Sequence, residues 1–230
     1  MTRHPPYRRH RLGALLIALA ALFPYVPPAS ADVILGAVAG TINLSGPGFG
    51  TLTETFDQAG LSKSYVSGVT DFDAYLSTGP THTPFFPSFE WFSNEGTTVA
   101  DVTYDLGAVH TIGRVALWNE DASGIGLLSL FGSHDGVGFS PLSVDLSPTN
   151  REFGQDYGVD VFGFAAAQVR YIRFDMSACP QPDDLNTFVG CGVGEVAFAG
   201  VPAVPEPASV ALLGLGLTAI AIWRRRRSAR

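Results

Sequence analysis

The residues of this chain that could act in catalysis do not form a recognisable catalytic pattern. The histidines of the central region, His82, His110 and His134, are isolated from one another. Adjacent acids occur at 120–121 and 183–184, but glycoside hydrolysis needs two carboxylates that flank a cleft, which adjacency does not supply. The sequence has neither a Gly-x-Ser-x-Gly nor a His-Glu-x-x-His motif. We therefore predict a non-enzymatic protein with no catalytic residues.

The two cysteines offer a different chemistry. Cys179 and Cys191 flank a segment rich in Pro and Asp, and the sequence has no other cysteine. In an oxidising compartment such a pair predicts one disulfide, which would stabilise the fold by on the order of 2–3 kcal/mol. A metal site and a catalytic cysteine are the alternatives. No histidine lies nearby and the spacing fits no zinc pattern, so we favour the disulfide.

Short strands are the elements that must position these side chains. Gly and Pro interrupt the central region at short intervals, and apolar residues alternate with polar ones between them, as at 102–106. Strands without intervening helices predict an all-β domain, an antiparallel β-sandwich over 32–203. Residues 32–87 predict one or two edge strands and long loops. The legible strands are 99–106, 112–118, 127–133, 159–164, 169–176 and 193–199. In the last two, the alternate apolar residues at 172–176 and at 196–198 predict inward-facing stripes.

Local patterns refine this prediction. Asp135-Gly136 lies between two apolar runs and predicts a hairpin turn, because Gly accepts positive φ without steric cost. Asp-Leu-Gly at 105–107 predicts the end of a strand in the same way. The two arginines Arg170 and Arg173 lie in a strongly acidic region, so we expect each of them to meet a carboxylate.

Four motifs occur in a fixed order between residues 88 and 200. They are Asp-Leu-Gly between two strands (102–118), a Ser-x-Asp-Gly turn followed by an aromatic residue (130–139), Arg-Tyr-Ile-Arg (170–173) and a closing strand that bears a Glu (194–198). In this order they resemble discoidin-type domains, also called coagulation factor type C domains. The resemblance implies a jelly roll of the galactose-binding-like type.

The same resemblance implies a calcium site. Galactose-binding-like domains often hold a structural Ca²⁺ with oxygens of an early loop and a Glu of the final strand, which here is Glu195. Asp71 and Asp73 could supply the loop oxygens, since they point the same way in an extended segment and hard oxygens suit Ca²⁺. The alternative is that the two aspartates are solvated and that Glu195 pairs with Arg170 or Arg173.

Ligand binding in such jelly rolls occurs on loops at one end of the sandwich. By this resemblance the candidate glycan contacts are Trp118, Asn119, Phe85 and Phe86, together with the loop between the cysteines. Aromatic rings beside acids and amides can stack on a sugar and hydrogen-bond it. The aromatic cluster at 85–92 would equally serve as core under a long loop, and we favour that interpretation for the cluster.

Composition separates the two ends of the chain from its middle. Of the 14 Lys and Arg residues, nine lie within 1–31 and 204–230, whereas 20 of the 21 acids lie within 32–203. The middle therefore carries five bases and a net charge of −15, which the value of −7 for the whole chain conceals. Such a region repels nucleic acid and attracts divalent cations. Nucleic-acid binding is excluded.

The N-terminal end has the three parts of a secretory signal peptide. Arginines precede an apolar run at 12–22, and the small residues Ala29-Ser30-Ala31 follow it. We predict export through the Sec translocon and cleavage after Ala31, so that 1–31 is removed. The alternative, a buried N-terminal helix, is disfavoured by the flanking arginines and prolines.

The C-terminal end carries a second targeting pattern. Pro205-Glu206-Pro207 precedes an apolar stretch at 208–223 and an arginine cluster at 224–227. The stretch is shorter than the ~20 residues that comfortably span a bilayer, and the arginines would stay cytoplasmic. Residues 204–230 resemble the PEP-CTERM sorting signal of Gram-negative bacteria. This implies transient membrane association and cleavage by an exosortase; an ordinary tail anchor is the alternative.

These observations predict where the protein acts better than what it binds. We expect export across the inner membrane of a Gram-negative bacterium to the cell surface, the outer envelope or the extracellular space. There the domain would associate with glycan or exopolysaccharide without acting as an enzyme. A structural envelope or matrix protein without a specific ligand is the first alternative, and a secreted carbohydrate-active enzyme is the second.

Overall fold

A computed structural model describes residues 31–84, 89–182 and 188–201. Within these residues the chain is mostly antiparallel β-sheet with one short helix, which confirms the predicted fold class. A 3₁₀ turn, Leu52–Thr55, and helix α1, Phe72–Ser77, lie between the second and third strands. The strands are β1 Val33–Leu35, β2 Ala39–Leu44, β3 Thr81–His82, β4 Trp91–Phe92, β5 Ala100–Asn119, β6 Leu127–Ser133, β7 Ser140–Leu146, β8 Tyr157–Gly158, β9 Asp160–Ser177 and β10 Gly192–Gly200.

Two long strands run through both layers of the fold. The first half of β5 pairs with β2 and with the second half of β9, whereas its second half pairs with β10 and with the first half of β9. The β5–β9 register shifts between Asp105 and His110. The predicted strand end at 105–107 is therefore wrong: Gly107, at φ +80°, marks an irregularity inside a continuous strand.

The two halves pack against each other through aromatic side chains. Tyr104 of β5 contacts Phe174 of β9, with ring centroids 5.1 Å apart, and Phe198 of β10, at 6.1 Å. All three side chains are fully buried. A sheet that bends so that its halves share one apolar core is a β-sandwich. The predicted inward stripes of 172–176 and 196–198 line this core.

Strand β10 is the most enclosed element of the sandwich, since every one of its residues is buried. It lies between β1 and β5, and its first residues also pair with β4. At its far end Gly200 pairs with Val33 of β1. The strand therefore connects the end of the domain at which the described chain begins with the end that carries β4.

Turns and ion pairs agree with the local predictions. Asp135-Gly136 lies in the turn between β6 and β7, with Gly136 at φ +76°. Arg170 donates two hydrogen bonds to Asp105, and Arg173 lies 3.5 Å from Asp101. Both arginines thus meet a carboxylate, as predicted.

No helix among residues 31–84, 89–182 and 188–201 is long and apolar enough to cross a membrane. The predicted signal peptide falls almost wholly on residues 1–30, which lie outside the described residues. The predicted Pro-Glu-Pro motif (205–207), apolar stretch (208–223) and arginine cluster (224–227) also lie outside them.

Candidate functional site

Loops at the β4 end of the sandwich enclose an aromatic pocket of about 400 Å³. The walls are three phenylalanine rings, and the segment after β5 supplies two small residues. Glu95, which is exposed, supplies a carboxylate. We call this the aromatic pocket; its lining residues are Phe49, Phe92, Glu95, Ala122, Ser123 and Phe188.

Backbone hydrogen bonds hold the aromatic pocket in shape. Phe49 and Phe92 exchange two backbone hydrogen bonds of 2.9 Å, as in a strand pair. Their rings both meet Phe188 edge to face, with centroids 5.5 and 5.6 Å away. Gly48 permits this close approach, because a Cβ there would lie 1.8 Å from the Phe92 carbonyl oxygen. The Phe49 side chain remains 46% exposed.

The predicted disulfide lies beside this pocket. Cys179 and Cys191 are bonded, with Cα atoms 5.0 Å apart, and both are buried. Ser93 and Cys191 are joined by two hydrogen bonds: the Ser93 amide donates to the Cys191 carbonyl, and the Cys191 amide donates to Ser93 Oγ. The disulfide prediction is confirmed, and the bond anchors the loop that carries Phe188 next to β4.

Trp118 and Asn119 occupy the interior, which corrects their predicted role as glycan contacts. Both are fully buried. Trp118 donates its indole N–H to the Pro80 carbonyl, while Asn119 accepts from the Ile125 amide and donates to Gln181 Oε1. Asn119 thereby fixes the loop that follows β5, whereas Trp118 ties β5 to the segment before β3, so neither side chain faces solvent. Phe85 and Phe86 lie outside the described residues.

The structure does not bring the three predicted calcium ligands together. Asp71 caps α1 by accepting from the Ala74 amide, and Asp73 lies inside that helix and pairs with Arg114. Arg114 of β5 pairs with Ala199 of β10, and Trp118 of β5 pairs with Glu195 of β10. Four residues of strand span roughly 13 Å, so the predicted set is wrong: an extended loop was expected where a helix begins.

Glu195 nevertheless lies in an environment that fits a cation. It is fully buried, its Oε2 accepts a 3.1 Å hydrogen bond from the Gln58 amide, and its Oε1 has no partner among the described residues. Burial, with a smaller contribution from the charge of Asp57, raises the pKa of Glu195 well above its ordinary value. It does not pair with Arg170 or Arg173, which meet aspartates instead.

A second concavity, of about 540 Å³, lies on the outer face of β2, β5 and β9. Its polar groups largely satisfy one another. Asn43 donates to Asp101 and to Thr103. Asp135 accepts from the amides of its own turn, and Arg173 covers the Phe139 ring at 4.8 Å. We call this the polar groove.

Sequence reasoning missed Phe49 and Glu95 of the aromatic pocket, and it placed Phe92 in an aromatic cluster for which a core role was favoured. Phe49 stands in a Gly-Pro-Gly-Phe-Gly segment, and an aromatic residue surrounded by glycines in a loop was a signal that could have identified it. Glu95 offered no such signal, and Phe188 was covered only by the general prediction for the loop between the cysteines. Their proximity depends on β4 pairing with β10, which joins residues about a hundred positions apart.

Residues 203–227 match the family model described as the PEP-CTERM protein-sorting motif. This confirms the predicted sorting signal at the C-terminus. The motif marks the chain as an exported protein that an exosortase sorts. No curated protein matches the chain.

Several solved structures resemble the fold. Chitosan-binding module 1 of a chitosanase/glucanase from Paenibacillus sp. IK-5 is 19% identical with a TM-score of 0.46, over 71% of this chain and 95% of that one. The CBM32 of AlyQ in complex with 4,5-unsaturated mannuronic acid is 20% identical with a TM-score of 0.44, over 72% and 96%. CpGH89CBM32-5 from Clostridium perfringens, in complex with GalNAc-β-1,3-galactose, is 14% identical with a TM-score of 0.44, over 70% and 93%. Likeness of this degree does not identify what this chain binds.

Proposed function

We propose that this exported, exosortase-sorted protein binds a polysaccharide at the cell surface or in the extracellular matrix and does not act on it as an enzyme. The observation that carries the proposal is the aromatic pocket at the β4 end of the sandwich. A pocket lined mainly by aromatic rings, with a few polar groups to fix orientation, is the usual form of a small-ligand site.

The chemistry of the pocket suits a sugar ring. Pyranose rings have apolar C–H faces that pack on aromatic side chains, and their hydroxyl groups need acceptors at the edge. The half-exposed Phe49 ring offers such a face, and Glu95 offers carboxylate acceptors. The disulfide and the Phe49–Phe92 backbone pair hold the walls in place, so little ordering is needed on binding.

The polar groove is a weaker candidate for the same ligand. Its Asn43 and Asp135 side chains already have protein partners. A sugar hydroxyl that binds there must therefore compete with hydrogen bonds that exist in the free protein. The aromatic pocket offers ring surface, for which water is a poor partner.

The pocket lining also supports binding over catalysis. Glu95 is the one acid among the lining residues that the structure describes. Most glycosidases use two carboxylates that flank the scissile bond. Buried Glu90 and Glu120 lie behind the pocket at 0% and 2% exposure, where a polymer cannot reach them.

A structural calcium ion beside Glu195 is part of the proposal. The unpartnered Glu195 Oε1 supports it, as does the negative charge of nearby Asp57. Oxygen ligands of this type are those that Ca²⁺ prefers. The ion would neutralise a buried carboxylate that no arginine of the described chain reaches.

Binding of the purified full-length chain to a panel of bacterial exopolysaccharides tests the function. We expect saturable binding that weakens about tenfold in Phe49→Ala, the loss of one well-packed aromatic contact. Phe153→Ala is the matched control, because Phe153 is similarly exposed, at 43%, and does not line the pocket. Equal binding by both variants would point to a matrix protein without this site, and release of reducing ends would point to an enzyme.

A further inference from the structure

Three buried acids from distant parts of the sequence meet behind the aromatic pocket. Glu90 precedes β4, and Glu120 and Asp121 follow β5. Strand β10 lies between these strands and brings their ends together, since Gly192 pairs with Phe92 and Val193 with Asn119. One carboxylate oxygen of each acid lies within 4.8 Å of the others. We call these three residues the acid cluster.

Glycines of β10 make room for the acid cluster. A Cβ at Gly192 would lie 2.9 Å from Glu120 Oε2, and a Cβ at Gly194 would lie 2.1 Å from the Tyr157 hydroxyl. Tyr157 in turn donates a 2.5 Å hydrogen bond to Glu90 Oε1. Any larger residue at these two positions would displace the groups that form the cluster.

Protein donors hold at least one oxygen of each acid in place. Glu120 Oε2 accepts from the amides of Ala122 and Ser123, and Asp121 Oδ2 accepts from the Gly154 amide. The Tyr157 hydroxyl holds Glu90 Oε1. Glu90 Oε2 is fully buried and has no partner among the described residues. The cluster therefore contains a buried carboxylate oxygen that accepts no hydrogen bond from the described residues.

The described protein supplies no positive charge to Glu90 or Glu120. Neither forms an ion pair with Lys or Arg within 31–84, 89–182 and 188–201. His82 Nδ1 lies 3.7 Å from Glu90 Oε1, but burial lowers the pKa of His82 to about 4, so the imidazole is neutral. Burial and mutual repulsion raise the pKa of Glu120, and burial raises that of Glu90.

We propose that Glu90, Glu120 and Asp121 form a binding site for a hard divalent cation, with Ca²⁺ as the ion that fits the ligand set. Carboxylate oxygens are preferred by Ca²⁺, and three of them in a dry site favour a cation over neutral ligands. Ala122 and Ser123 line the aromatic pocket and also hydrogen-bond Glu120, so the bound ion fixes one wall of that pocket.

This site is separate from the one beside Glu195, and counting bound ions distinguishes them. The purified full-length chain is stripped with EDTA and titrated with Ca²⁺ by calorimetry. We expect two ions in the wild type, one in Glu195→Gln and none in Glu195→Gln combined with Glu90→Gln. If Glu195→Gln binds none, the acid cluster is not a metal site. The count in Glu195→Gln alone does not depend on whether a variant of the acid cluster folds.

The melting temperature gives a second readout. If the acids were purely structural, their substitution would lower the melting temperature in EDTA. In Glu90→Gln and Glu120→Gln, removal of a crowded charge should leave the melting temperature in EDTA equal to or above that of the wild type. The rise on adding Ca²⁺, roughly 5 °C or more at a hundredfold excess over Kd, should shrink in both. Glu152→Gln, at an exposed position, is the control and should respond like the wild type. A full rise in both cluster variants would overturn the proposal.

Discussion

The carboxylates at the surface of the sandwich differ from those in its interior in how their charge is compensated. Five aspartates at or near the surface meet arginine, whereas among the described residues the interior glutamates Glu90, Glu120 and Glu195 do not. Arg170 lowers the pKa of Asp105 and Arg114 lowers that of Asp73, whereas burial raises the pKa of Glu195. Asp101 is an exception, since burial raises its pKa despite Arg173. The surface pairs are Asp32 and Asp73 with Arg114, Asp101 with Arg173, Asp105 with Arg170, and Asp160 with Arg151.

This difference shows which carboxylates of the domain have no cationic side chain to compensate their charge. The arginines of the central region all serve exposed or half-buried aspartates. The interior glutamates must therefore take up protons or cations, because an isolated buried carboxylate is costly. We therefore expect amide substitutions of the paired surface aspartates to lower the free energy of unfolding. Amide substitutions of the interior glutamates should instead reduce the stabilisation that calcium provides.

The largest expected effect concerns the interior group. We expect EGTA to lower the melting temperature of the wild type by roughly 5–10 °C from a calcium-saturated state. Glu195→Gln should bind one calcium ion fewer and show a smaller drop, measured by thermal unfolding with and without EGTA. Glu152→Gln is the control. An identical EGTA response in Glu195→Gln and wild type would contradict a calcium ion at this residue.

Asp160 is the surface acid whose loss should cost most. It accepts from Arg151, from the Thr149 amide and from the Thr149 hydroxyl, at 2.7 to 2.8 Å, and its side chain is only 14% exposed. Asp160→Asn should lower the free energy of unfolding by about 2 kcal/mol, measured by denaturant titration. Asp156→Asn, at an exposed position, should change it little. Similar losses in both variants would show that the pairing does not matter.

Arg114 should contribute less, because solvent screens its pairs. It bridges Asp32 and Asp73, the latter 71% exposed, and lies 4.6 Å from the Phe72 ring. Arg114→Met keeps the apolar stem and should cost about 1 kcal/mol, with a smaller cost in high salt. A double-mutant cycle with Asp73→Asn isolates the pair. A coupling energy that does not depend on salt would argue against a screened surface interaction.

The smallest effect is expected at Asp105 and should depend on pH. Arg170 is 39% exposed, so Asp105→Asn should cost less than about 1 kcal/mol at neutral pH. Because the folded pKa of Asp105 is lowered, its contribution is present above the unfolded pKa of about 3.9. It is lost as pH falls through the folded pKa.

Denaturant titrations of wild type and Asp105→Asn at neutral and acidic pH measure this contribution. The two should converge in acid. A difference that grows on acidification would reverse the assigned direction of the shift.

The architecture could be predicted because its signals are local. Alternation at 172–176 marked an inward face, and Asp135-Gly136 marked the β6–β7 turn. The length of β5 could not be predicted, because Asp-Leu-Gly at 105–107 ends a strand or kinks it with the same residues. The strand continues through 105–107 because the β5 residues before and after this segment both pair with β9.

The site was less predictable because its residues meet through long-range pairing. Asp73 was expected to bind Ca²⁺, yet it pairs with the Arg114 side chain, which is 41 positions away. Trp118 and Asn119 were placed on the correct strand end but on the wrong side of the loop. Glu120-Asp121 was visible as a pair of acids, but its partner Glu90 emerges only when β10 joins β4 to β5.

The course of β10 determines where the aromatic pocket lies relative to the sorting motif. Its last residue, Gly200, lies beside Val33 of β1, so the first and the last described strands meet at one pole of the domain. Its first residue, Gly192, lies beside Phe92 at the other pole, roughly 26 Å away along the strand. The sorting motif begins three residues after Gly200. The aromatic pocket and the sorting motif therefore belong to opposite ends of β10, so attachment through the motif would leave the pocket free to bind the proposed polysaccharide.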